Sequence, residues 1–287
     1  MTELQPRLLP EEKKRIRPPR TRDYAAWVVA VAIVAGLLYA LVSNENFQWD
    51  VVLRYFTAAS ILDGVGITLM LTAVSMVLGT VLGLVLAVMR MSSQAPISGL
   101  ARLYITFFRG TPVLVQLVFW FNVAALYPNL SIGGHALDMN AMITPLTAAI
   151  IGLTLNEAAY MAEIIRGGFA AVPRGQFEAA ESLGMSEFTK LRRVIIPQTM
   201  PAIIPATGNQ VIGMLKETSL VSVLGVADLL QSAQAIYART YETIPLLIVA
   251  SLWYLVMTLT LSVPQSMIER RFSRSSRPVV KVKESLL

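Results

Sequence analysis

Four ionisable residues, Arg109, Glu157, Lys216 and Glu217, fall inside stretches of sequence that are otherwise apolar. A charge held away from water is costly, so such a group faces an opposite charge or a polar cavity. Asn156, Thr218 and Ser219 stand beside them and add an amide and two hydroxyls. A cavity that presents both signs of charge and neutral polar groups can hold a small zwitterion. The same residues can instead satisfy one another as an internal ion-pair network, with Arg109 meeting Glu217 or Glu157 across helices. Lys216 and Glu217 are sequence neighbours and do not face each other on a helix, so each needs a separate partner. Glu163 and Arg166 lie near the end of an apolar run and read as boundary residues.

Other chemistries lack their residues. The single histidine, His135, cannot build a multi-histidine metal site and reads as a solvated loop residue, and the absence of cysteine removes thiolate, disulfide and zinc-thiolate chemistry. No Ser-His-Asp set can be assigned, and the carboxylates show no paired catalytic spacing. No GxxxxGK[ST] phosphate loop occurs, so ATP hydrolysis is not expected of this chain. The chain reads as no enzyme, with no cofactor or metal of its own.

The elements that position these groups are membrane spans. Hydrophobic residues make up 55% of the 287 positions and charged residues only 15%, too apolar for an ordinary soluble domain. Windows of about 20 apolar residues mark spanning helices, and six occur, at 24–43, 65–89, 104–126, 142–165, 199–222 and 244–268. The expected fold is an all-α integral membrane protein. Gly79 and Gly83 form a GxxxG pair suited to close packing within the chain, while Pro112, Pro205 and Gly213 interrupt other spans. Residues Trp49 to Asp63 and Asp228 to Thr240 read as short amphipathic helices at the membrane surface.

The net charge of +6 is explained by its distribution. Lysine and arginine crowd the segments before the first span and after the last, and the loops after spans two and four, whereas only Arg54 and Arg239 fall in the opposite loops. By the positive-inside rule both termini are cytoplasmic, and no nucleic-acid partner is implied. The first span is longer than a signal peptide's apolar run and reads as an uncleaved anchor.

Between spans four and five lies RGGFAAVPRGQFEAAESLGMSEFTKLRRVIIP, residues 166–197. The run from Gln176 to Leu183 is rich in helix formers, with Ala179 and Ala180 giving a thin surface. Gly184 is suited to a left-handed cap, and Ser186 to opening a second helix that ends by Arg193, before Pro197. Two short helices at an angle make a rigid knob.

Glu178, Ala179, Ala180, Gly184, Val194, Ile196 and Pro197 stand at the spacing of the EAA loop, and the chain resembles permease subunits of ATP-binding-cassette importers. The segments FRGTP at Phe108 to Pro112, AYMAEIIRGG at Ala159 to Gly168 and LKETSL at Leu215 to Leu220 are similar to motifs of the histidine, glutamine and arginine type, the polar amino-acid family. The resemblance implies a five-helix core over about 64–270, which makes 24–43 an added N-terminal helix between a basic tail at 1–23 and an external segment at 44–63. It implies that the loop at 166–197 docks on an ATPase pair that holds ATP-Mg. It further implies a second permease copy or a related chain, an external binding protein that delivers the amino acid, and a place in the bacterial inner membrane. The competing expectation is a self-contained, ion-coupled amino-acid carrier.

Overall fold

The computed structural model describes residues 21–132 and 135–273. Most of the two charged tails expected at 1–23 and 271–287 therefore lies outside the described residues. The chain divides into two units, residues 1–48 and 49–287. In the first, α1 (Thr21–Ser43) is an apolar helix followed by a single 3-10 turn, Glu45–Phe47, which Asn44 caps through the Asn46 amide.

Among its described residues the second unit forms helices and one hairpin. It begins with α2 (Trp49–Phe56), whose Val51 and Val52 are buried, and then α3 (Ala59–Met91). The surface segment expected over 49–63 is therefore two elements, because α3 starts before the predicted span and runs unbroken for 33 residues. Next come α4 (Ala95–Gly110) and α5 (Val113–Leu126), which meet at a bend of 106°. One span was expected over 104–126. Pro112 breaks it, since the ring removes an amide donor and collides with the preceding turn.

Strands β1 (Asn129–Ile132) and β2 (His135–Asp138) pair antiparallel with Asn129 opposite Asp138, an addition to the all-α expectation. His135 belongs to β2, and its side chain lies outside the described set. The one-turn α6 (Met139–Met142) leads into α7 (Pro145–Ala170), α8 (Arg174–Ser182) and α9 (Glu187–Lys190). A π-type turn, Leu191–Ile195, joins α9 to α10 (Ile196–Glu217), and a 3-10 stretch, Thr218–Leu224, follows it. The chain closes with α11 (Leu229–Thr240) and α12 (Thr243–Ser273). Among the described residues three helices, α3, α7 and α12, are long and apolar enough to cross a membrane, and the number rises to six if each bent helix pair counts as one span.

The core is built on α3 against α7. A Cβ added at Gly79 would lie 2.7 Å from Glu157 Cγ, and one at Gly83 would lie 2.6 Å from Met161 Cβ, so the two helices approach where side chains are missing. In lipid no hydrophobic force drives helices together, and close van der Waals packing of this kind takes its place. On one side Leu86, Ala87, Ile105, Ala158, Ala162 and Ile165 bury the joint with α4. A second cluster around Leu71, Leu117, Leu153 and Met214 brings in α5 and α10, and a third joins α2, α11 and α12 around Ile61, Leu229 and Leu246.

Gly83→Ala is expected to destabilise the protein by about 1–3 kcal/mol through overpacking, read as a lowered thermal midpoint in detergent. Gly66→Ala, where an added Cβ meets nothing within 4 Å, is the control and does not lower the midpoint, alanine being the better helix former.

Candidate functional site

The knob between α7 and α10 is held by local bonds at every joint. α8 ends in a Schellman arrangement: Gly184 takes φ +68°, its amide donates to the Glu181 carbonyl at 2.9 Å, and the Met185 amide donates to the Ala180 carbonyl at 3.2 Å. Ser186 then caps α9, its hydroxyl accepting from the Thr189 amide at 3.4 Å. Lys190 staples the two helices, reaching Glu181 Oε1 at 2.7 Å and Glu187 Oε1 at 2.8 Å. The bonds to Glu181 and then Glu187 hold its ammonium above its usual range. Gln198 of α10 donates to Gln176 of α8 at 3.1 Å and braces the knob on the following helix.

Two details differ from the sequence expectation. The alanine pair is not one surface: Ala179 is exposed, whereas Ala180 is 3% exposed and faces inward, because successive residues on a helix point about 100° apart. The second helix does not stop before Pro197. Instead the chain winds through the π-type turn, where the Ile196 amide bonds the Leu191 carbonyl, and Pro197 is carried in the first turn of α10, where an amide donor is not needed. Glu178 is exposed, and so are two apolar residues beside the turn, Leu183 at 80% and Phe188 at 71%. Sequence reasoning passed over these two; their signal was large apolar side chains in an otherwise polar segment.

The intramembrane polar groups separate into four places. Asn156 is committed to the bend between α4 and α5. Its amide nitrogen donates to the Phe108 carbonyl at 3.0 Å and to Gln116 Oε1 at 3.1 Å, while Gln116 Nε2 donates to the carbonyls of Phe108 at 2.9 Å and Thr111 at 3.1 Å. The break leaves helix-end carbonyls without partners, and these two buried amides supply them. Gln116 was not singled out from sequence, although an amide in an apolar run one turn after a proline is the signal for it.

Arg109 does not pair with Glu157 or Glu217. Its guanidinium lies 5.2 Å from the centre of the Tyr160 ring, a cation–π distance, at a cleft it shares with Arg90, Arg102 and Glu163. Glu163 is bonded to Arg166 through both carboxylate oxygens, at 2.8 to 3.1 Å.

Glu157 is fully buried, 0% exposed, on the α3–α7 seam. Gln210 of α10 donates to its Oε2 at 2.9 Å, and its Oε1 has no partner. Ser75 Oγ and Thr154 Oγ1 are likewise buried without partners. Gly79 faces Glu157 and Gly83 faces Met161, and the same register brings Ser75 to the level of Leu153 and Thr154, so the three orphaned oxygens belong to one stretch of this seam.

At the far end of α10, Lys216 is exposed and Glu217 half-buried, while the Thr218 and Ser219 hydroxyls return to the carbonyls of Leu215 at 2.7 Å and Lys216 at 2.6 Å. Beside them Asp228 caps α11 through the Gln231 amide at 2.9 Å and accepts from the Tyr254 hydroxyl at 3.3 Å. Of the seven polar candidates, then, Lys216, Glu217, Thr218 and Ser219 stand together as sequence neighbours, and Glu217 lies near enough to Glu157 for the two carboxylates to act on each other.

Residues 79–274 match the family described as the binding-protein-dependent transport system inner membrane component. The arginine transport system permease protein ArgU of Corynebacterium glutamicum is 44% identical over 272 residues, 93% of this chain and 84% of that protein. The glutamate/aspartate import permease protein GltK of Escherichia coli is 34% identical over 79% of this chain and 98% of its own length. Among solved structures, one described as an amino acid ABC transporter with histidines aligns with a TM-score of 0.65 at 43% identity, over 74% of this chain and 94% of that one. The inward-facing MetNI methionine transporter, at 20% identity and a TM-score of 0.62, shares the fold.

Gly184→Ala is expected to cost about 1–2 kcal/mol at the knob, because an L side chain is strained in the left-handed region. Hydrogen exchange should speed up for the amides between Ala179 and Lys190, with the amides of α3 and α7 unchanged.

Proposed function

This chain belongs to the binding-protein-dependent transport system inner membrane component family, and on that premise we propose that it is the permease through which an ATP-driven importer moves polar amino acids across the bacterial inner membrane. The observation that carries this reading is the capped and stapled knob at residues 174–197, presenting Glu178, Ala179, Leu183 and Phe188 at its surface and continuing into α10. A rigid knob fused to a core helix transmits displacement, which is what a chain with no phosphate loop needs in order to use ATP bound elsewhere. The self-contained, ion-coupled alternative gains nothing from a match to a binding-protein-dependent system.

In this reading the two termini and the knob are cytoplasmic. Two permeases, two copies or this chain with a related one, form the pathway, and an ATPase pair grips their two knobs. A binding protein delivers the amino acid from outside. ATP closes the ATPase pair, the knobs approach, and α10 carries the movement to the seam. The substrate class follows from relatives whose names record arginine and glutamate/aspartate transport. Glu157 is the proposed contact for the substrate's ammonium, because its free oxygen lies where α10 meets the seam. Lys216, Glu217, Thr218 and Ser219 form a second polar station along the same helix. Arg109 borders the inner end of the pathway, and Asn156 serves it by holding the bend.

Purification of the full chain in mild detergent should retain an ATPase, and Glu178→Lys or Gly184→Pro should release it while the chain stays folded. Retention of no ATPase by the natural chain, together with uptake that proceeds without ATP, overturns the importer reading. Glu157→Gln should raise the substrate concentration for half-maximal uptake in vesicles by about tenfold or more, the loss of one charge-assisted hydrogen bond. Unchanged uptake kinetics remove Glu157 from the pathway.

A further inference from the structure

The cleft beside Arg109 has a charge balance that an amino-acid pathway does not explain. It encloses about 480 Å³ and gathers three guanidinium groups, from Arg90 at the end of α3 and from Arg102 and Arg109 on α4, against one carboxylate, Glu163. That carboxylate is already bonded through both oxygens to Arg166. None of the three arginines forms an ion pair with a described carboxylate; Arg90 donates one long bond, 3.3 Å, to Ser98 Oγ, and Arg109 rests on Tyr160. A zwitterion needs an available anion as well as a cation, and the one carboxylate of the cleft is already bonded to Arg166 and lies in the field of Arg109 and Arg90, so the charge left over is cationic.

Guanidinium groups converging on one space are matched to a phosphate oxyanion, which accepts paired N–H bonds from each. The neighbouring recess indicates what carries the phosphate. Arg90 is shared with a second hollow of about 370 Å³ walled by Met91, Arg166, Phe169 and Ala170. Along α4 the outward side chains Leu100, Leu103 and Phe107 are apolar and exposed. The site therefore has a cationic head and an apolar flank, the shape of an amphiphile. It also sits at the end of the bundle where α7 leads into the knob, and basic pockets between membrane helices at the cytoplasmic face are suited to anionic lipid headgroups.

We propose that the cleft of Arg90, Arg102 and Arg109 binds the phosphate of an anionic phospholipid of the inner leaflet, its glycerol and first methylenes resting on Met91 and Phe169. The inner-leaflet assignment rests on the proposed orientation; the binding itself does not depend on transport. The bound headgroup neutralises the excess charge beside the α4–α7 joint and holds α4 in place.

The test titrates the purified full chain in neutral detergent with phosphatidylglycerol, phosphatidylcholine of the same acyl chains, or inorganic phosphate, and counts adducts by native mass spectrometry. One phosphatidylglycerol should remain bound where phosphatidylcholine is stripped. The Arg90→Gln/Arg102→Gln variant should weaken that adduct about tenfold or more, and Arg239→Gln, which removes the same charge from α11, should leave it unchanged. Should the double variant misfold, Arg102→Gln alone carries the test, since that side chain makes no hydrogen bond or ion pair in the structure. Equal retention of phosphatidylcholine, or equal loss with Arg239→Gln, overturns the proposal. Displacement of the lipid by millimolar phosphate shows a soluble anion to be the ligand and overturns the lipid assignment. Failure of the natural chain to hold a phosphatidylglycerol adduct while an ATPase still co-purifies sinks this inference alone, whereas an adduct on the natural chain without any ATPase sinks only the importer reading.

Discussion

Inside hydrocarbon there is no water to satisfy a backbone group, so every interruption of a helix must be answered by another group of the protein. Much of the polar content of this chain follows from that constraint. The break at Thr111 and Pro112 exposes carbonyls that would each cost a few kcal/mol unpaired, about 1–3 by mutational estimates, and Gln116 and Asn156 are spent on them. At the opposite end of α10 the chain leaves helical geometry at Gly225, with φ +79°, and Asp228 and Thr68 take up the amides at the start of α11 while the Tyr254 hydroxyl donates to Asp228. The Pro205 carbonyl within α10 accepts from Gln265 of α12, and the lack of a side chain at Gly208 leaves room for that amide.

The same constraint separates stiff parts from compliant ones. α3 and α7 run unbroken and meet glycine to side chain, a contact that tolerates little sliding because each missing Cβ is filled by the partner helix. α10 is different. It begins on a π-type turn, carries Pro201 and Pro205 in its interior and ends in a 3-10 stretch, so it lacks several of the regular bonds that stiffen a helix. One end is bolted to the knob through Gln198 and Gln176; its middle touches the rigid pair where Ile203 packs on Gly168 and Gln210 meets Glu157.

The pattern of the sequence carried most of this to the level of elements. Long apolar runs, the EAA spacing and the cap chemistry of Gly184 and Ser186 are local properties, and the structure has them where the residues stand. The break at Pro112 was legible in type but not in consequence, since a proline within a span can be a gentle kink or a sharp turn depending on what waits to bond the freed carbonyls. Here Asn156, some forty residues later, decides it. The hairpin at 129–138 was also there to read: two short runs flank Gly133 and Gly134, a two-residue turn signal. The partners of the buried charges were not legible, because the pairing of Glu157 with Gln210 and of Arg109 with Tyr160 depends on helix rotation, which composition and spacing leave free.

Glu157 then sits at the junction of the stiff pair and the compliant helix, and its position has a thermodynamic consequence within the proposed reading. It has one hydrogen bond, from the helix that is to move, and one oxygen with none. If α10 shifts with the knob, Gln210 leaves, and a fully buried acid keeps no partner at all, a state disfavoured by the cost of an unsatisfied polar group. The shifted state becomes accessible when another donor replaces the Gln210 amide, and a substrate ammonium is such a donor. Movement of the helix and occupation of the site are then linked, each raising the population of the other by the same factor. An importer needs that reciprocity if ATP is not to be spent on an empty pathway, and a single buried carboxylate shared between a fixed and a mobile helix is enough to supply it.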